Sequence, residues 1–147
     1  MPIAELLRPE HVVVGLRVND KTQLLHELAR RAAVALQTDA SSIFQALQSR
    51  ETLGSTGLGK GFALPHARLD GLREFFGMFV RLAKPIDFAA IDGEPVDLVF
   101  LLLIPPDAAG QHLAALAAIA RPLRTAGFPH RLRKAKDAAE LHTLMAQ

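Results

Sequence analysis

Six histidines, no cysteine, no tryptophan and no tyrosine limit where covalent chemistry can sit in this 147-residue chain. A thiol nucleophile, a disulfide, a cysteine-ligated zinc and an iron–sulfur cluster are all excluded. Neutral imidazole is a nucleophile near neutral pH, so histidine is the residue type to follow. His66 stands apart from the others. It ends the run Gly61-Phe62-Ala63-Leu64-Pro65-His66. Pro65 fixes its own φ and pushes Leu64 into an extended conformation, so the backbone leading into His66 is restrained. A ring at such a strand end projects from a stiff base. His11, His26, His130 and His142 have no metal-ligand spacing with one another or with nearby carboxylates, and read as structural or solvated. On spacing alone His112 is an exposed first-turn residue.

The segment feeding His66 is Gly54-Ser55-Thr56-Gly57-Leu58-Gly59-Lys60-Gly61, with glycine at four of eight positions. It reads as a loop. Gly54-x-x-x-x-Gly59-Lys60 fits the start of a P-loop, but the Ser or Thr needed for Mg²⁺ is Gly61, and the loop lies between a helix and a strand in the reverse of P-loop order. The dinucleotide fingerprint also fails on spacing and context. Freed of side chains, the backbone N–H groups could instead form an anion-binding nest. Asp87, Asp92, Glu94 and Asp97 show no acid/base pairing and do not support a hydrolase.

Around these residues, composition predicts a globular chain: half the residues are apolar and 22% are charged. A net charge of +2 and aromatics limited to Phe give no reason to expect nucleic acid as a partner. The longest apolar runs, 98–104 and 113–120, are too short to span a bilayer, and the first residues do not resemble a signal peptide, so the expectation is a cytoplasmic protein that is not membrane-embedded. Val12-Val13-Val14 reads as a strand. Asp20 caps a helix over about 21–37 with Gln23 completing the box, and Asp39 caps a second that buries Ile43, Phe44 and Leu47 and stops at Gly54. Strands follow at 62–64, 75–82 and 96–104, then a helix over 111–125 and two short helices near 130–136 and 138–145. The order predicts an α/β fold: one domain over 1–147, with a mixed central β-sheet flanked by helices. Arg121, Arg124, Arg131, Arg133, Lys134 and Lys136 occur with no acid among them until Asp137, and read as a solvated face or a dock for an acidic partner.

Arg50-Glu51 followed by the whole of Gly54 to Ala67 resembles the signature of the fructose/mannitol-type enzyme IIA domains of the bacterial phosphotransferase system. Pro85-Ile86-Asp87-Phe88, Asp92-Gly93-x-Pro95-Val96-Asp97-Leu98-Val99-Phe100 and Pro105 to Leu113 are similar as well. A lone domain without attached B or C domains is most similar to the nitrogen-regulatory branch. The resemblance implies that His66 takes a phosphoryl group from an HPr-like phosphocarrier protein, through Nε2. Arg50 is implied to hold phosphate oxygens, which its planar guanidinium does two at a time. His112 is implied to donate a hydrogen bond to phospho-His66 from a helix N-terminus. Ser55, Thr56 and the Gly57 backbone are read as further phosphate donors, Lys60 is given no role, and Arg68 is read as a surface residue that could screen the phosphate. With no nucleotide to bind, neither Mg²⁺ nor any other cofactor is expected.

Three readings stand at this point. One is a regulatory phosphocarrier whose target proteins, a transporter or a sensor kinase, respond to its phosphorylation state. Another is a metabolic enzyme IIA that relays phosphate to a sugar-permease B domain. The third is a non-catalytic interaction domain on the same scaffold.

Overall fold

The computed structural model describes residues 1–108 and 110–147. Helix α1 (Ile3–Leu6) and a 3-10 turn (Pro9–His11) lead into strand β1 (Val12–Leu16). Helix α2 (Lys21–Leu36) starts where Asp20 accepts the Gln23 N–H at 2.8 Å, while the Gln23 side chain reaches back to the Asn19 N–H. It stops at Gln37, in the left-handed region at φ 55°. Helix α3 (Ala40–Thr52) starts on Asp39, which accepts from the Ser41 and Ser42 N–H groups. Strands β2 (Gly57–Gly59), β3 (Phe62–Ala63), β4 (His66–Arg68), β5 (Phe76–Ile86) and β6 (Val96–Ile104) complete the sheet. Helices α4 (Gln111–Ala120), α5 (Phe128–Lys134) and α6 (Ala138–Ala146) close the chain.

The sheet is mixed, in the order β1-β5-β6-β3-β2, and β4 also pairs with β6. β6 is its centre: antiparallel to β5, parallel to β3 and β4. Its residues from Leu98 to Leu103 are fully buried because both faces are covered. Val99, Leu101 and Leu103 pack under α2 and α3. Leu98, Phe100, Leu102 and Ile104 pack under α1, α4, α5 and α6. At roughly 1.5–3 kcal/mol for each large apolar side chain buried, this alternation is what fixes β6 and the strands registered on it.

The α/β class and the mixed central sheet are as the sequence predicts, with local differences. Helix α1 and the turn before β1 are additional; the carbonyl of Leu6 presses on Gly77, where any Cβ would collide. The glycine segment is part strand, since β2 folds back on β3 as an antiparallel pair. β5 runs on to Ile86, past Pro85, through an irregular register between Arg81 and Ile86 that tolerates proline. α4 ends at Ala120 and continues only as a 3-10 turn (Arg121–Arg124), because Pro122 brings no N–H. Among the described residues no helix is long and apolar enough to cross a membrane.

Candidate functional site

β3 and β4 are two pieces of one path along β6. Phe62 lies opposite Leu98 and His66 opposite Leu102, the same register on both sides of Leu64-Pro65. The backbone stays tied at the break, where the Leu102 N–H donates to the Pro65 carbonyl at 3.0 Å and the Leu64 N–H to the Thr56 carbonyl at 3.0 Å. Among the described residues β4 pairs with β6 alone, so its other edge is open. The two helical layers meet there: α3 brings Ser49 and Arg50 from one side and the start of α4 brings His112 from the other. Between them lies a cleft of about 350 Å³ whose lining includes Leu53, His66 and Arg68.

The His66 ring is half-buried, and Nδ1 lies 2.8 Å from the Leu64 carbonyl oxygen. A carbonyl can only accept, so Nδ1 carries the proton and Nε2 keeps the lone pair. Burial pushes the ring's pKa below the usual imidazole range; Arg50 and His112 push the same way, while the Leu64 carbonyl and Glu51 oppose the shift. At neutral pH the ring is therefore neutral, with a defined nucleophilic nitrogen.

Arg50 sits in the last turn of α3, where Nη1 donates to the Gly54 carbonyl at 3.0 Å. That bond braces the guanidinium and leaves its other N–H groups able to meet an anion in the cleft. His112 is the second residue of α4, half-buried, at the helix end where N–H groups and the positive dipole point outward.

Ser55, Thr56 and Gly57 lie outside the cleft lining, and their polar groups have partners within the chain. The Ser55 hydroxyl donates to the Phe88 carbonyl at 3.1 Å and accepts the Gly57 N–H at 3.1 Å. Thr56 is buried; its N–H donates to Glu51 Oε1 at 3.1 Å and its hydroxyl to Glu51 Oε2. Lys21 Nζ completes the set, 2.8 Å from Glu51 and 3.3 Å from the Phe88 carbonyl. Further along, the Lys60 N–H donates to Asp92 at 2.9 Å. The glycine segment does receive carboxylates on its N–H groups, as a nest would, but they are the chain's own Glu51 and Asp92. Gly57 is required by packing, since a Cβ there would sit 2.8 Å from the Ala90 Cα.

Glu51 is the residue that sequence reasoning passed over. Its neighbours Lys21 and Thr56 come from α2 and from the loop, and no spacing rule links them. The basic stretch also divides. Arg133 chelates Asp97 at 2.9–3.1 Å and donates to the Lys60 carbonyl at 2.7 Å, so it is a clamp on the glycine segment. Arg121, Arg124, Arg131, Lys134 and Lys136 are exposed. Among the described residues no three His, Asp or Glu side chains converge as a metal site.

Comparison with known proteins shows the family of the chain. Residues 5–147 match the family model for the phosphoenolpyruvate-dependent sugar phosphotransferase system, EIIA 2. A nitrogen regulatory protein of Bradyrhizobium diazoefficiens is 47% identical over 146 residues, covering 99% of this chain and 95% of that protein. The crystal structure of nitrogen regulatory protein IIA-Ntr from Neisseria meningitidis superposes with a TM-score of 0.92 at 35% identity, covering 97% of this chain and 98% of that one. The same fold, at TM-score 0.78 and 17% identity over 95% and 96% of the two chains, occurs in the complex of enzyme IIAMTL with phosphorylated enzyme IIBMTL from Escherichia coli. The chain belongs to the EIIA 2 family of the phosphoenolpyruvate-dependent sugar phosphotransferase system, and within it is similar to the nitrogen regulatory proteins.

Proposed function

We propose that the protein is a regulatory phosphocarrier that accepts a phosphoryl group on His66 Nε2 from the phosphohistidine of an HPr-like protein. The observation that carries this is the His66 ring itself: neutral, locked by the Leu64 carbonyl with Nε2 unprotonated, in one cleft with Arg50 and His112. In the transfer the donor's N–P bond breaks as the His66 Nε2–P bond forms. Each ring keeps its own N–H, so the donor leaves as neutral imidazole. His66 becomes a phosphorylated imidazolium whose Nδ1–H still donates to Leu64, a contact that favours that charged ring. Such a transfer asks for in-line positioning and cationic donors around the moving charge. Arg50 holds phosphate oxygens and His112 donates to them from the start of α4.

The regulatory half of the reading rests on the similarity to nitrogen regulatory proteins and on the rim of the cleft. Leu53 in the cleft lining is 83% exposed, and Leu113, the residue after His112, is 64% exposed, apolar surface on which proteins can dock. Phosphorylation adds about 1.5–2 negative charges at His66, in the same cleft as Leu53. A surface that packs on those leucines is then disfavoured, and the two phosphorylation states select different partners.

The test is incubation with a phosphorylated HPr-type carrier. The reading expects an acid-labile, alkali-stable phosphate on the wild type and none on His66→Ala. An unlabelled wild type would reduce the protein to an interaction domain, and a labelled His66→Ala would move the site elsewhere.

A further inference from the structure

We propose that Arg68 is a second guanidinium of the phosphate site, closing on phospho-His66 from the strand while Arg50 holds it from α3. The inference rests on the phosphocarrier reading of His66 and adds to it the residue that grips the group on its other side.

The argument starts from the period of a strand. His66 and Arg68 are the first and third residues of β4, so their side chains leave the same face, with Cα atoms about 7 Å apart. The residue between them supports this alternation, because Ala67 is buried in the core under α3 while Arg68 is exposed. Both His66 and Arg68 line the cleft that also holds Arg50 and His112.

The second observation is how the chain uses its other arginines. Arg8, Arg30, Arg31 and Arg133 are each paired with a carboxylate. Arg81 is bound to the carbonyls of Leu132, Arg133 and Ala135, and Arg50 to that of Gly54. Arg17, Arg73, Arg121, Arg124 and Arg131, like Arg68, have no ion-pair partner among the described residues, but of these six Arg68 alone lines the cleft with His66. The Arg68 side chain is long enough to reach a group built outward from His66 Nε2. A phosphoryl group there presents three oxygens, more than one planar guanidinium takes in a bidentate contact. Arg50 from α3, Arg68 from β4 and the α4 terminus with His112 approach it from three elements. Glu51 is the one nearby acid that acts on the ring, and its oxygens are already held by Lys21 and Thr56.

The experiment follows the phosphoryl group directly. Potassium phosphoramidate phosphorylates imidazole nitrogen with loss of ammonia, so phospho-His66 can be made without a carrier protein. The ³¹P resonance is then titrated with pH in the wild type, Arg68→Lys and Arg68→Gln. A cation beside the group favours its dianion, so Arg68→Gln is expected to move the second ionisation up by about half a pH unit, the size of one exposed ion pair. Arg68→Lys should fall nearer the wild type, because it keeps the charge without the fork. Coincident titrations in all three proteins would overturn the role of Arg68 and leave His66 as the carrier. A wild type that takes no phosphate on His66 from either phosphoramidate or a phosphorylated carrier would overturn both.

Discussion

The signature run divides at Leu64-Pro65 into two regions with opposite uses for their polar groups. On the glycine side, Thr56 and Lys60 N–H groups end on Glu51 and Asp92, Ser55 ends on Phe88, and Arg133 ties Lys60 to Asp97. Glycine is required there by contact: a Cβ on Gly57 would strike Ala90, and one on Gly61, at φ +81°, would strike the Arg133 guanidinium. On the His66 side, three residues later along the same strand path, one edge is open and Arg68 has no ion-pair partner among the described residues. The first region is a brace and the second, on the proposed function, the working surface. A continuous motif in a sequence therefore need not be one continuous site. Half of it can exist to hold the other half still.

Substitutions on the two sides should separate activity from stability. The largest effect is expected from Arg50→Ala, which should slow phosphoryl transfer from an HPr-type carrier by about 100-fold, the usual cost of losing one preorganised donor. Thermal melting should still report a folded protein. Collapse of the fold would show that the bond from Arg50 to Gly54 is its main role. Gly61→Ala should behave in the opposite way, lowering unfolding free energy by roughly 2–3 kcal/mol in denaturant titrations, from a left-handed backbone and a displaced Arg133. Transfer per folded molecule should change little. Arg133→Ala should cost about 1–2 kcal/mol, since it removes charge-assisted bonds to Asp97 and Lys60 from a partly exposed clamp. If either brace variant abolishes transfer while remaining fully folded, the division at Leu64-Pro65 is wrong.

The smallest effect concerns pH. On the proposed function the neutral ring is the acceptor, and burial holds its pKa below the usual imidazole range. Transfer should therefore persist as pH falls through that range and fail only below the depressed value, as a pH profile of kcat/KM would read. Arg50→Ala removes one cation that depresses it and should move the acid limb up. The linkage has a matching sign. The unfolded ring binds a proton first, so stability declines as pH drops from the ordinary imidazole range towards the folded value. An acid limb above the ordinary range would contradict the burial described here.

Much of this was legible before folding. Asp20 and Asp39 announce α2 and α3 because caps are local, and the apolar run 96–104 announces a doubly covered strand because burial on both faces removes alternation. The restrained backbone leading into His66 was legible from Pro65, although His66 opens β4 instead of ending the strand before it. The pairing of β2 with β3 was not, since a glycine-rich stretch carries no side-chain period. α1 is one turn whose reason is Gly77, more than seventy residues away. The role of Glu51 depends on Lys21 and Thr56 meeting it in space, and the open edge beside Arg68 depends on strand order. Local chemistry could be read in one dimension, whereas contacts made by topology could not.

The most direct test of the central claim is the position of the phosphate on the ring. The wild type should be labelled from a phosphorylated HPr-type carrier, then analysed by heteronuclear NMR of the intact phosphoprotein for the nitrogen that bonds phosphorus. The account predicts one phosphorylated residue, His66, with phosphorus on Nε2 and a proton retained on Nδ1 towards Leu64. Phosphorus on Nδ1, or on any residue other than His66, would contradict it.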